Sequence, residues 1–171
     1  MKPPASGITR EPLQTLIPTV DDVRKYIPHR PPFLFVDEIV ESTPESLTAI
    51  RRVRADEAYF EGHYPGNPIM PGVLIAESVF QAAAIHLVRT LDTSVVPENA
   101  VPVLARITDA RFRRLIRPGD TLTIKVHLKE RMSKFFFMHG AVTCEGRRVL
   151  SIDFGVAMEA ESGPSGKSSS A

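Results

Sequence analysis

The chain has 171 residues, 43% of them hydrophobic, which is enough for one domain with a substantial core and too few for two typical domains. Its 21 basic and 20 acidic residues give a net charge of +1, which argues against a nucleic-acid-binding protein, and its charged fraction of 24% excludes disorder of the whole chain. A single cysteine excludes an intramolecular disulfide, and with no secretory leader and no apolar run of about 18 residues we expect a cytoplasmic protein without a membrane span.

The N-terminal half alternates short regular segments with loops rich in proline, of which the chain has 15. Residues 1–17 lack sustained periodicity and are expected to be a flexible extension, and the polar residues 160–171 a disordered tail, so that a single domain spans 18–159. The segments predicted in this half are a helix at 19–26, an extended loop at 27–33, strands at 34–41 and 47–54, and an irregular loop at 62–72.

A long apolar helix and a series of alternating strands make up the rest of the domain. No helix breaker occurs between Gly72 and about Leu91, and almost no face of this segment is polar, so we predict a helix buried inside the protein. Residues 121–129 alternate strictly between apolar and polar side chains, as in a half-buried strand. Further strands are predicted at 103–113, 135–144 and 149–158, with turns at 117–120 and 145–148.

These elements predict an α+β fold in which an antiparallel sheet wraps around one long central helix. The inner face of such a sheet needs an apolar cover, and a helix of roughly 20 residues, about 30 Å long, is the one predicted element able to supply it. The remaining edge or face of the sheet suggests dimerisation by continuation of the sheet.

Two ionisable residues near the start of the long helix are candidates for chemistry. Glu77 has apolar neighbours, and its burial predicts a raised pKa unless the side chain reaches solvent or pairs with an arginine at a subunit boundary. His63 lies in the loop at 62–72, whose prolines and glycines hold a side chain in place at little entropic cost. Three other histidines have structural interpretations: His127 and His139 as solvated strand residues, and His86 as a packing or capping residue. His29, in a proline-rich loop, could equally be a functional residue or a structural hydrogen-bonding residue.

The first turn of the long helix is a third candidate feature. Pro71 loses no hydrogen bond at this position, Gly72 allows a ligand to approach, and the free N–H groups of the first turn can stabilise an oxyanion. Ordinary helix initiation is the alternative interpretation. No metal and no other cofactor is expected, because His63 and Glu77 lack a further ligand at a familiar short spacing.

The sequence resembles the FabZ-type 3-hydroxyacyl-[acyl-carrier-protein] dehydratases in three ordered segments. Residues 63–74, followed by Glu77 and Gln81, are similar to the signature of that family. Residues 27–37 resemble its N-terminal motif, and residues 109–120 resemble a later strand-and-turn motif. Three departures lie outside the candidate residues: residues 131–134 lack a glycine that is common in the family, Pro31 stands where an aromatic residue is common, and both termini extend beyond the match.

The resemblance implies a hotdog fold and a homodimer with two active sites at the subunit interface, and it leaves a trimer of such dimers open. It implies a catalytic pair of His63 from one subunit and Glu77 from the other, with Gly72, Val73 and Gln81 in the oxyanion and substrate site. The implied reaction dehydrates a 3-hydroxyacyl thioester on acyl carrier protein to the trans-2-enoyl thioester, in fatty-acid or in polyketide or polyene biosynthesis. His63 would remove the Cα proton and Glu77 would protonate the departing hydroxide, although His63 alone could do both.

The carrier protein, which is generally acidic, would dock at the mouth of an apolar acyl tunnel. Basic complementarity could come from Arg111, Arg113, Arg114 and Arg117, or from Arg51, Arg52 and Arg54, although a solvated strand face is an equal explanation for each of these arginines.

Two alternative functions remain. A hotdog thioesterase shares the fold and the thioester handle, but the loop sequence Gly62-His63-Tyr64-Pro65 disfavours it. A non-catalytic acyl-binding subunit of a heteromeric dehydratase would lack the catalytic pair, and the presence of both His63 and Glu77 disfavours that reading.

Overall fold

A computed structural model of the chain describes residues 20–91 and 100–160, in which an antiparallel sheet surrounds a long helix. The strands follow the order β1-β2-β4-β5-β6-β3 across the sheet, and all neighbours are antiparallel. The elements are α1 (Val20–Tyr26), β1 (Glu38–Ser42), β2 (Ser46–Arg52), a 3-10 helix (Ala58–Glu61), α2 (Gly72–Thr90), β3 (Ala100–Phe112), β4 (Thr121–Met132), β5 (Phe135–Cys144) and β6 (Arg147–Ala160). The predicted α+β architecture is confirmed.

Most predicted elements lie within three residues of their observed bounds, and the first strand is the exception. It was predicted at 34–41, whereas β1 begins only at Glu38. The reason is that the backbone of Phe33 and Phe35 bonds to a side chain of α2 instead of to a neighbouring strand. The predicted extension at 1–17 and nearly all of the predicted tail at 160–171 lie outside the described residues.

Helix α2 packs against the inner face of the sheet, where a glycine permits close contact. A Cβ atom on Gly140 of β5 would lie 2.2 Å from Val79 Cγ1 and 3.1 Å from Ile152 Cγ2, so a larger residue at this position would push the helix away. Alternate residues of β4 and β5 are buried along this face, which confirms the period-two pattern read from the sequence.

By length and composition α2 is apolar enough to cross a membrane, with a mean hydropathy of 1.3 over the 18-residue window. The expectation that no apolar run approaches that length is therefore wrong. Of that window, 61% is buried inside the domain. A helix that is apolar on nearly every side is expected where a sheet encloses it, and this explains the hydropathy of α2.

Strand β3 forms one edge of the sheet and is exposed from Val103 onwards. Along its 13 residues it presents Leu104, Ile107 and Phe112, which expose 40%, 49% and 50% of their surface. A long edge strand with apolar side chains and unpaired backbone groups is a template for pairing with another chain. Dimerisation by sheet continuation stays a prediction, and β3 is the edge strand at which we expect it.

His86 gives the domain a testable dependence on pH. The side chain is fully buried in α2, and neither ring nitrogen has a hydrogen-bond partner among the described residues. Burial lowers the pKa of His86 below its usual value. At position 86 the unfolded chain therefore binds a proton more readily than the folded chain. The stability of the folded protein is consequently unaffected by this group above the ordinary pKa of about 6.5, and the free energy of unfolding decreases as the pH falls below that value.

We expect His86→Leu to remove this pH dependence and to raise the free energy of unfolding. The gain should be about 1–3 kcal/mol, because the variant no longer buries polar atoms without partners. Urea unfolding of both proteins at pH 5 and pH 7.5 measures the effect, and the gain should be larger at pH 5. Parallel pH dependence in the two proteins would contradict this role for His86.

Candidate active site

The loop between the 3-10 helix and α2 selects one tautomer of the neutral His63 ring. The backbone N–H of His63 donates to the carbonyl of Tyr59 at 3.0 Å, and its Nδ1 lies 2.8 Å from the carbonyl oxygen of Ile69. Because a carbonyl oxygen only accepts hydrogen bonds, Nδ1 carries the proton of the neutral ring. Nε2 is then the nitrogen with a lone pair, which is the form that a general base requires.

The same loop is tied to the connection between β3 and β4. Arg117 Nη1 donates to Asn67 Oδ1 at 2.7 Å, and the backbone N–H of Met70 donates to the carbonyl of Ile116 at 2.7 Å. The backbone N–H of Arg117 is held in turn by Asp120 Oδ2 at 2.8 Å. Arg117 was predicted to dock a carrier protein, and in this structure its guanidinium braces the loop that carries His63.

Glu77 and Gln81 lie one turn apart on α2 and face residues 33–35. The amide of Gln81 is nearly fully buried: its Oε1 accepts from the backbone N–H of Phe35 at 2.8 Å, and its Nε2 donates to the carbonyl of Phe33 at 3.1 Å. These two backbone groups fix the orientation of the amide, because one only donates and the other only accepts.

Gln81 thereby determines which oxygen of Glu77 can carry a proton. Gln81 Nε2 also donates to Glu77 Oε1 at 3.0 Å, so Oε1 acts as an acceptor. When Glu77 is protonated, the proton consequently sits on Oε2. A carboxylic acid with its proton on a defined oxygen is suited to be a general acid.

Glu77 and Gln81 line a cavity of about 250 Å³ between α2 and strands β3 and β6. The other lining residues are mostly apolar: His29, Phe80, Ala84, Pro102, Val103, Leu104 and Val156. Apolar walls with few polar groups are typical of a site for a small organic ligand, and here they suit an acyl chain. His63 is not among the residues that line this cavity, so within one protomer the two predicted catalytic residues have separate surroundings.

The start of α2 presents two free donors. The carbonyl of Pro71 accepts from the N–H groups of Leu74 and Ile75, at 2.9 and 3.2 Å. Within the described residues, no acceptor is bound to the N–H of Gly72 or of Val73. The ring of Phe112 lies against Gly72, where an added Cβ would approach it to 3.3 Å. Free N–H groups at the start of a helix are the kind of donor that can stabilise an oxyanion.

The predicted docking arginines have different surroundings. Arg113 and Arg114 are exposed after the end of β3, and Arg111 is exposed but paired with Asp109 at 3.2 Å. Arg51 is 1% exposed and is paired with Glu57 and with Asp37, so the suggestion that it docks a partner is wrong. The other two arginines suggested for docking are exposed and paired: Arg52 with Glu38 and Arg54 with Asp56.

The remaining histidines divide into two groups. His127 and His139 face each other on neighbouring strands with ring centroids 5.6 Å apart, and His139 Nδ1 lies 2.8 Å from Asp153 Oδ1. His29, whose role the sequence left open, lines the cavity with its Nε2 3.7 Å from Glu77 Oε1. In residues 20–91 and 100–160, no group of three or more potential ligands is arranged to hold a metal ion.

Comparison with known proteins decides the family. The FabA-like domain family matches residues 27–153, which include the loop of His63 and all of α2. The chain belongs to this family. The curated 3-hydroxyacyl-[acyl-carrier-protein] dehydratase FabZ of Shewanella oneidensis is 37% identical over 135 residues, covering 78% of this chain and 88% of that protein. The enzyme of the same name from Oenococcus oeni is 38% identical over 136 residues, covering 79% and 95%.

Solved structures share the fold of this family member. A chain of the dehydratase heterocomplex ApeI:P from Xenorhabdus doucetiae superposes with a TM-score of 0.68 at 18% identity, covering 81% of this chain and 91% of that one. A hypothetical thioesterase with coenzyme A from Streptococcus pneumoniae has a TM-score of 0.55 at 16% identity, with coverages of 72% and 85%. The predicted hotdog fold is confirmed, and dehydratases and thioesterases share it.

Gln81→Leu tests whether this amide anchors the site. The substitution leaves the N–H of Phe35 and the carbonyl of Phe33 without their partner, so we expect the free energy of unfolding to fall by about 2–4 kcal/mol. Ser78→Ala is the matched control, because it removes one buried hydrogen bond from the same helix, to the carbonyl of Ile75. Urea unfolding compares the two, and a loss no larger than that of Ser78→Ala would contradict the anchoring role.

Proposed function

We propose that this family member removes water from 3-hydroxyacyl thioesters of acyl carrier protein, giving the trans-2-enoyl thioester in fatty-acid biosynthesis. The main support is the position of Glu77, which lines a mostly apolar cavity and accepts a hydrogen bond from Gln81 on Oε1, so that a proton on this carboxyl group would be on Oε2. Support also comes from relatives that are 37% and 38% identical and are named for this dehydration.

The elimination requires a base, an acid and a donor to the thioester oxygen. His63 Nε2 takes the proton from Cα, and the electron pair of that C–H bond becomes the Cα=Cβ double bond. The Cβ–O bond breaks as Glu77 transfers its proton from Oε2 to the departing oxygen, which leaves as water. The N–H of Gly72 donates to the thioester oxygen while negative charge develops there, and the adjacent Val73 belongs to the same site.

In our proposal the base and the acid of each site come from different protomers. His63 does not line the cavity of Glu77 in its own protomer, and three residues of the exposed edge strand β3 do. A second copy paired along β3 would cover this cavity and supply its own loop with His63. The docked carrier protein would then face the exposed arginines that follow β3.

The products distinguish the proposed dehydratase from a thioesterase on the same fold. The purified protein, incubated with a 3-hydroxyacyl thioester, should give enoyl thioester with the thioester bond intact, as measured by chromatography and mass spectrometry. His63→Ala should abolish both this reaction and hydration in the reverse direction, while the dimer persists in size-exclusion chromatography. Release of free acid and thiol, or activity retained by His63→Ala, would contradict the proposal.

Mixing two inactive variants tests whether the sites are shared. His63→Ala and Glu77→Ala are each expected to be inactive, and each keeps the residue that the other lacks. After unfolding and refolding together, half of the dimers should be mixed, and one of the two sites in each mixed dimer is intact. About one quarter of the wild-type activity should therefore return. No recovery, with mixed dimers verified by mass spectrometry, would place the pair within one protomer.

Charge reversal tests the docking of the carrier protein. Arg113→Glu and Arg114→Glu should each raise KM for the carrier-protein substrate about fivefold, with less effect at high salt, while a small pantetheine thioester is used as before. Lys125→Glu is the control, since Lys125 is an exposed cation within β4. Equal losses on both substrates, or the same effect from the control, would argue against docking at these arginines.

A further inference from the structure

His29 is a second titratable group beside the proposed acid. Its Nε2 lies 3.7 Å from Glu77 Oε1, and both side chains line the cavity of about 250 Å³. The side chains are 31% and 23% exposed, so each is partly withdrawn from water. The following inference rests on the proposed function, because it concerns how Glu77 acts as the acid.

The loop between α1 and β1 holds His29 in place. Arg30 Nη1 donates to the carbonyls of His29 and Ile27, at 2.7 and 2.9 Å, and Arg30 Nη2 donates to the carbonyl of Arg24 at 3.2 Å. The ring of Phe33 stacks on the imidazole with a centroid distance of 6.2 Å and an interplanar angle of 23°. Both the backbone and the ring of His29 are thus held by neighbours.

The surroundings of the ring select its tautomer. Nδ1 is buried and has no hydrogen-bond partner among the described residues, whereas Nε2 faces an oxygen of Glu77. A neutral imidazole carries one proton, and a proton on Nδ1 would be a buried donor without an acceptor. The proton of neutral His29 is therefore on Nε2 and points towards Glu77 Oε1. This tautomer is opposite to that of His63.

We propose that His29 is a positioning residue that stabilises the carboxylate formed when Glu77 gives up its proton. In this structure the separation of 3.7 Å is longer than a hydrogen bond, so the contact between His29 Nε2 and Glu77 Oε1 is weak before the reaction. As Glu77 protonates the leaving oxygen, negative charge develops on the carboxylate and draws the N–H of His29 towards Oε1. An interaction that strengthens along the reaction lowers the barrier.

His29 and Gln81 share this task without competing for the reactive oxygen. Gln81 Nε2 lies 3.0 Å from Oε1, and His29 approaches the same oxygen. Oε2 has no hydrogen-bond partner among the described residues and stays available to the substrate. With Gln81 bonded to Oε1 and His29 drawn towards the same oxygen during the reaction, Oε2 is left to carry the proton that passes to the substrate.

Two substitutions at position 29 test the proposal. His29→Met removes the donor and fills a similar space, so kcat for dehydration should fall about 10- to 100-fold while KM changes less than threefold. His29→Gln places an amide N–H near the position of Nε2, so its kcat should stay within about fivefold of the wild type. Equal losses of kcat in the two variants would overturn the proposal, because the donor would then be irrelevant.

The Glu77→Gln background separates a positioning role from a structural one. A Gln at position 77 cannot become a carboxylate, so adding His29→Met to Glu77→Gln should lower its residual activity less than twofold. A 10-fold or larger further loss in this background would show that His29 acts independently of Glu77, and would overturn the proposal. This comparison holds even where His29→Met is less stable, since lost stability would lower activity in both backgrounds.

An assay of the wild-type protein distinguishes failure of the role of His29 from failure of the proposed function. If the wild-type enzyme forms no enoyl thioester, the dehydratase assignment fails and the role of His29 fails with it. If the wild type forms enoyl thioester and His29→Met matches its kcat, only the role of His29 is overturned.

Discussion

The burial of α2 by the sheet is the constraint on which the site depends. Gly140 lets the sheet approach Val79 so closely that no side chain fits between them, and this contact fixes the helix in the sheet. Glu77 and Gln81 are consequently held at the cavity formed with β3 and β6, and the free N–H groups of Gly72 and Val73 lie in the first turn of the same helix. Catalytic geometry is more precise when helices and strands carry it than when loops do.

Backbone groups then select the tautomer of His63 and the oxygen of Glu77 that is free to bear a proton. The carbonyl of Ile69 places the proton of His63 on Nδ1, and the backbone of Phe33 and Phe35 orients Gln81, which in turn leaves Oε2 of Glu77 for the acidic proton. In our proposal, the orientation of these groups suits His63 to act as the base and Glu77 to act as the acid. Because these contacts lie within one chain, the proposed dimer would bring together two halves of a site that are already ordered.

Local patterns allowed much of the fold to be predicted from the sequence. The unbroken apolar run predicted α2, and strict alternation predicted the paired strands, because both patterns depend on neighbours along the chain. The start of β1, the burial of Arg51 and the approach of His29 to Glu77 were missed, because each depends on a partner distant in the sequence. The prolines of the loops at 27–33 and 62–72 were the available signal, since these loops carry His29 and His63.

The most direct test is a crystal structure of the enzyme with a bound, non-hydrolysable 3-hydroxyacyl pantetheine amide. Our account predicts a dimer joined along β3, with the acyl group in the cavity beside Glu77. His63 Nε2 of one protomer should lie about 3–3.5 Å from Cα, and Glu77 Oε2 of the other should lie within hydrogen-bond distance of the 3-hydroxyl group. A ligand bound away from Glu77, or a site in which both residues come from one protomer, would contradict the account.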